Sequence, residues 1–120
     1  MAAKRVLVVE DEKPLAHALE LKLTHEGFVV TLADNGQAAL DALEKGDFDV
    51  MLLDMMMPVM DGFYVLEEIK KHSKAAPTIF ALSNLSLHDD KDRVIGMGAK
   101  KYFIKSETPL AVIVEEVKNA

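Results

Sequence analysis

The chain has 120 residues, half of them hydrophobic and 28% charged, with no cysteine and a formal charge of −6 from fourteen basic and twenty acidic side chains. A single core of ordinary size accounts for that length, so one domain over residues 1–120 is expected; the missing cysteines exclude disulfides, thiolate zinc sites and Cys nucleophiles and suit a reducing cytoplasm. The acidic balance argues against direct nucleic-acid binding, and no apolar run approaches the ~20 residues of a membrane span, nor does the short start before the first strand-like run make a signal peptide.

Arg5-Val6-Leu7-Val8-Val9 is a β-branched run without alternation, the pattern of a strand buried on both faces. Pro14 suits the first turn of a following helix, whose apolar side is Leu15, Leu19 and Leu23 and which stops at Gly27. Residues 28–32 form the second strand run, and Asp34-Asn35-Gly36 opens a second helix with Ala39, Leu40 and Leu43 inward. The third run, residues 50–53, precedes a helix capped by Asp61 that buries Leu66 and Ile69. After the fourth run, residues 78–82, Ser86-Leu87-His88-Asp89 reads as a capping box for a helix carrying Leu87, Lys91, Val94 and Ile95. The fifth run, residues 102–104, is followed by a helix in which Thr108 caps, Pro109 takes the first position, and Leu110, Ile113, Val114 and Val117 repeat at helical spacing. Strict alternation of five strands and five helices predicts an α/β fold, a doubly wound parallel sheet with helices on both faces.

In such sheets ligands bind beyond the carboxyl ends of the strands. At those positions stand Glu10-Asp11-Glu12, then Asp54, then Ser83-Asn84, then Lys105. Clustered carboxylates repel unless a cation sits among them. Oxygen donors without His or Cys select a hard ion, for which Mg²⁺ is the choice here. A carboxylate beside Mg²⁺ can attack phosphorus and become an aspartyl phosphate, with a Lys neutralising another oxygen. The strand ends therefore point to phosphoryl transfer onto an Asp.

Four motifs, Val6-Leu7-Val8-Val9-Glu10-Asp11-Glu12, Asp54-Met55-Met56-Met57-Pro58-Val59-Met60-Asp61-Gly62, Ser83, and Gly98-Ala99-Lys100-Lys101-Tyr102-Phe103-Ile104-Lys105, resemble the receiver domain of two-component response regulators across almost the whole chain. The resemblance implies a flavodoxin-like strand order 2-1-3-4-5. It implies Asp54 as phospho-acceptor, Asp11 and Asp54 as Mg²⁺ ligands with the backbone carbonyl of Met56, Glu10 acting on the metal through water, and Lys105 pairing with the phosphoryl group. Ser83 and Tyr102 match the family's switch pair, which reads phosphorylation out on the surface of helix four, strand five and helix five. The implied partners are a histidine kinase or a histidine phosphotransfer protein, and a phosphorylation-dependent dimer is open. The family's own catalysis is limited to self-phosphorylation and self-dephosphorylation. Receivers usually continue Lys-Pro with a cis bond, whereas Ser106 follows Lys105 here; either the bond is trans and the loop reshaped, or it is cis under strain.

Other signals carry less. Gly96-Met97-Gly98 lacks a third glycine and a following helix, so it reads as a helix stop rather than a nucleotide fingerprint. His17 and His25 fall on the solvated side of helix one; His72 and His88 lie near helix ends without ligand-like partners. Of the methionines between residues 51 and 60, Met55, Met56 and Met60 are candidates for an apolar rim to the pocket, beside the default of core filling. With Met56 and Leu85 two residues beyond Asp54 and Ser83, neither side chain can orient water, and slow self-hydrolysis is expected. Two alternatives stay open: a receiver belonging to a larger regulator, and a Mg²⁺-dependent haloacid-dehalogenase-type phosphatase, although the Asp-x-Asp of that class would need an acid where Met56 stands.

Overall fold

The computed structural model describes residues 3–72, 76–84 and 88–120. The elements alternate as β1 (Arg5–Val9), α1 (Lys13–His25), β2 (Val29–Ala33), α2 (Gly36–Lys45), β3 (Val50–Asp54), α3 (Gly62–His72), β4 (Thr78–Ser83), α4 (His88–Gly96), β5 (Lys101–Ile104) and α5 (Leu110–Lys118). The five strands form one parallel sheet in the order β2-β1-β3-β4-β5, as expected of a flavodoxin-like receiver fold. Central β3 pairs Val50 to Leu53 with Val6 to Val9 on one side and Val50 to Asp54 with Thr78 to Leu82 on the other. Every residue of β3 is buried, which is why its sequence shows no alternation.

Successive side chains of each strand point to opposite faces and create two cores. Leu7, Val9, Met51, Leu53, Ile79 and Ala81 face Ala39 of α2, Val65, Leu66 and Ile69 of α3 and Val94 of α4. Val6, Val8, Val50, Leu52, Phe80 and Leu82 face Leu19 and Leu23 of α1 and Ile113, Val114 and Val117 of α5. Each fully buried Leu or Val contributes about 1.5–3 kcal/mol. The sheet is thus clamped between helices while its strand ends stay available to the loops. The edge strands pay in exposure: Val29 and Leu32 of β2 remain 52% and 36% accessible.

The predicted helix ends hold in most cases. Asn35 caps α2 by accepting from the Ala38 N–H at 2.8 Å, and Asp61 caps α3 by accepting from the Tyr64 N–H at 3.0 Å. Gly98, at φ 115°, turns the chain from α4 into β5, and the Ala99 N–H reaches back to the Val94 carbonyl, so this segment is a helix stop.

Two expectations, for α5 and α4, are corrected, and of the two alternatives left open at Lys105 one is selected. Helix α5 begins at Leu110: Pro109 is its cap residue, extended at ψ 147°, and Thr108 makes no side-chain cap, because Lys105–Glu107 first coil into a 3₁₀ turn. Among the described residues no peptide bond is cis, so Lys105 and Ser106 are joined in trans and the turn reshapes the loop. In α4 Val94 is buried, whereas Ile95 is 39% exposed and Lys91 also faces solvent, since the next residue lies ~100° round the helix. The capping residues Ser86 and Leu87 lie outside the described residues, as does Leu85, and so do the side chains of His72, His88 and Asp89.

Candidate phosphoryl-acceptor and metal site

The site stands at the carboxyl ends of β1, β3 and β4, closed from the side of β5. Glu10 continues β1 by donating its N–H to the Ala33 carbonyl at 3.0 Å, and it is only 2% exposed. Its Oε2 accepts from the Glu12 N–H at 3.0 Å, which folds the acidic turn back over the strand end. Asp11 is exposed at the mouth. Asp54 ends β3 opposite Leu82, 1% exposed, and its Oδ1 accepts from the Met56 N–H at 3.0 Å. One ligand oxygen from each of Glu10, Asp11 and Asp54 lies within 4.8 Å of the others.

Lys105 enters from the end of β5. Its Nζ is 2.6 Å from Glu10 Oε1, 3.2 Å from Asp54 Oδ2 and 3.8 Å from Glu12 Oε1, with the side chain 9% exposed. Glu10 Oε1 and Asp54 Oδ2 are buried and, apart from this ion pairing, meet no hydrogen-bond donor among the described residues. Burial pushes the Asp54 carboxyl up to about 7, and the neighbouring Glu10 charge adds to this, while the Met56 N–H and the Lys105 ammonium act against it. Burial also works against the Lys105 charge, but bonding and attraction to Glu10 and Asp54 outweigh it and raise its pKa.

Three carboxyl groups crowd around one ammonium, and among the described residues Lys105 is the sole cation facing the buried oxygens Glu10 Oε1 and Asp54 Oδ2. That donor set fits a hard divalent cation, which takes oxygen ligands and tolerates water in its shell.

The loop behind Asp54 is tightly seated. A Cβ on Gly62 would meet Met55 Cα at 2.7 Å and the Asp54 carbonyl at 2.9 Å, and one on Gly36 would meet the Met60 carbonyl at 2.8 Å. At its tip Val59 has φ 69°, and the Met60 N–H bonds to the Pro58 carbonyl at 2.8 Å, forming a γ-turn of the strained hand. The expected methionine rim is smaller than predicted. Met55 is 2% exposed and belongs to the core, Met60 packs on Gly36, and only Met56, 51% exposed, lies at the surface. The β3 ladder continues through the Met55 N–H to the Leu82 carbonyl, which turns Met55 inward and Met56 outward.

Ser83 is fully buried at the end of β4, one residue beyond the partner of Asp54, and Tyr102 is half-buried against the core beneath α3 and α4. All the residues singled out from sequence therefore stand at the same end of the sheet, except Tyr102, which lies within β5. Two contacts were not anticipated: the direct pairing of Lys105 with Glu10, and the reach of Lys105 to Glu12. The third acid in the row Glu10-Asp11-Glu12 was the available signal for the latter.

Residues 6–118 match the family model of the response regulator receiver domain, and the chain belongs to that family. It is 36% identical over 105 residues to the uncharacterized transcriptional regulatory protein YkoG of Bacillus subtilis, covering 88% of this chain and 46% of that protein. It is 38% identical over 101 residues to the cell cycle response regulator CtrA of Brucella ovis, covering 84% and 43%. The chain thus spans less than half the length of these curated relatives. Among solved structures, the response regulator TrrA of Thermotoga maritima, in complex with Mg²⁺-BeF, superposes with a TM-score of 0.82 at 33% identity, covering 97% of both chains. The receiver domain of Francisella response regulator 1452 gives 0.88 at 26% identity, covering 97% and 94%. Receivers are signalling domains of two-component systems rather than conventional enzymes, and the phosphatase alternative finds no support in these relatives. No helix among the described residues is long and apolar enough to cross a membrane.

Proposed function

We infer that residues 1–120 act as one receiver unit that accepts a phosphoryl group on Asp54 from a histidine kinase or a histidine phosphotransfer protein. The observation that carries this reading is the buried Asp54 carboxylate, 3.2 Å from the Lys105 ammonium and within the acidic cluster of Glu10 and Asp11. An Asp54 oxygen attacks phosphorus, the P–N bond to the donor imidazole breaks, and its electron pair leaves on that nitrogen. Lys105 then shifts its charge toward the transferred group, and the Ser83 hydroxyl donates to another oxygen. The Tyr102 ring turns into the space that Ser83 leaves, altering the surface of α4, β5 and α5.

Asp11, Asp54 and the Met56 carbonyl would hold Mg²⁺ directly and Glu10 through water, a role compatible with both Glu10 oxygens being engaged by Lys105 and the Glu12 N–H. When bound, the ion supplies positive charge to the phosphoryl oxygens. The same chemistry with small phosphodonors and with water gives self-phosphorylation and self-dephosphorylation. The chain would work in the cytoplasm without itself binding nucleic acid or membrane, consistent with its charge of −6, and phosphorylation can promote a dimer through the switched surface. Although relatives such as YkoG are named transcriptional regulatory proteins, the matched region covers only 46% of that chain.

The test is incubation with a small phosphodonor and Mg²⁺, followed by intact-mass measurement. The wild type should gain one phosphoryl group and Asp54→Asn none; equal uptake by the variant would exclude Asp54 as acceptor. Profiling against histidine kinases of the source cell would then identify the donor.

A further inference from the structure

We propose that Met56 is an oxidation site through which hydroperoxides shorten the life of the phosphorylated state. The proposal rests on Asp54 being the acceptor, and its first measurement does not depend on that reading.

The chain has no cysteine and no Trp, so its thioethers are the soft nucleophiles left for a peroxide. Among the described residues they are unequally placed. Met51 is fully buried, Met55 and Met57 are 2% and 6% exposed, and Met60 and Met97 are half-buried, whereas Met56 is 51% exposed. Met56 is also held against the acceptor, its N–H bonding Asp54 Oδ1 at 3.0 Å, on a loop seated by Gly36 and Gly62. A change on this exposed side chain is therefore made on the residue whose backbone bonds the acceptor.

In the step itself the thioether sulfur donates an electron pair to one peroxide oxygen. The O–O bond breaks, an S–O bond forms, sulfur is oxidised by two electrons, and the peroxide's other oxygen leaves carrying the proton, as an alcohol from an organic hydroperoxide or as water from hydrogen peroxide. With hydrogen peroxide the products are one sulfoxide and one water. A thioether is a weak acceptor that orients little water, while a sulfoxide oxygen is a strong one. Two residues beyond the acceptor, that oxygen can hold a water for attack on the aspartyl phosphate. Reversal by a dithiol, which becomes a disulfide as the oxygen leaves as water, restores the apolar side chain.

The test uses the full chain and dilute hydrogen peroxide under native conditions. Peptide mapping should show Met56 sulfoxide forming at least about tenfold faster than sulfoxide at Met51, Met55 or Met57, as exposure dictates. The phosphoryl lifetime of oxidised wild type should fall severalfold and recover after methionine sulfoxide reductase with dithiol, while Met56→Leu, whatever its own lifetime, should not respond to peroxide. Slower or equal oxidation of Met56, an unchanged lifetime, or an equal response of Met56→Leu would each overturn the proposal. A protein that takes up no phosphoryl group would defeat the acceptor reading and the lifetime effect together, and mapping alone would then decide whether Met56 is the selective oxidation site.

Discussion

The Lys105 ammonium lies closer to Glu10 than to Asp54, 2.6 Å against 3.2 Å. Among the described residues Lys105 is the one cation buried in the pocket, and it is shared between Asp54 and a neighbouring acid. Added negative charge at Asp54, as the proposed phosphorylation would bring, would draw Lys105 across this short gap and release Glu10 toward a metal.

Truncating Lys105 should expose that role. Lys105→Ala leaves two buried carboxylate oxygens without a counter-charge, and a loss of about 3 kcal/mol is expected near pH 8 in urea unfolding. Near pH 5 the loss should shrink, because Asp54, raised to about 7, is then protonated and needs no counter-charge. An equal loss at both values would mean that the stem, not the charge, is what Lys105 contributes.

Stability without metal should decline as pH rises. Asp54 titrates near 3.8 in the unfolded chain and about 7 in the native one, so between these values the native state binds more protons and ionisation favours unfolding. Asp54→Asn should lack this slope and exceed the wild type near pH 8 by about 1–3 kcal/mol, after discounting the full displacement for relaxation and screening. Parallel unfolding curves for the two proteins from pH 4 to 8 would contradict the assignment.

Mg²⁺ should reverse the penalty. At a hundredfold excess over its dissociation constant a native-state ligand stabilises by ~2.7 kcal/mol. The gain should be larger near pH 8 than near pH 5, because the ion competes with the proton on Asp54. Thermal unfolding with Mg²⁺ or chelator checks this, and Asp11→Asn should lose most of the shift; a shift undiminished in that variant would remove Asp11 from the ligand set.

The seat of the acceptor loop predicts a contrast between two glycines. Gly62→Ala drives a methyl into backbone at 2.7 Å and 2.9 Å and should cost about 1–3 kcal/mol while slowing phosphoryl uptake. Gly96→Ala meets nothing within 4 Å and should be neutral or gain up to ~1 kcal/mol at the end of α4. Chemical denaturation of both variants distinguishes them.

At the tip of that loop, Val59 is fully exposed at φ 69°, so its branched side chain bears strain and buries nothing. Val59→Asn should raise stability by about 1 kcal/mol, seen as a higher Tm. A lower Tm would show that the valine is held by contacts the loop geometry does not reveal.

Local pattern by itself determined the alternation of five strands and helices, because buried parallel strands must be unbroken apolar runs and their crossovers amphipathic. It also placed Glu10, Asp11, Asp54, Ser83 and Lys105 at strand ends, where the parallel sheet forces them to one edge, and the four motifs named the family. Distance and burial were a different matter. Whether Ile95 or Val94 faced the core depended on how α4, nine residues with few apolar side chains, rotated against the sheet; whether Met55 or Met56 met solvent followed from the β3 ladder running on through Met55, and the start of α5 from the 3₁₀ turn at Lys105–Glu107. The sharing of Lys105 between Glu10 and Asp54, and the proton that Asp54 keeps up to about 7, arise only where the ends of β1, β3 and β5 converge in a dry pocket. Electrostatics there follows ångström separations and solvent exclusion, and neither is a property of chain order.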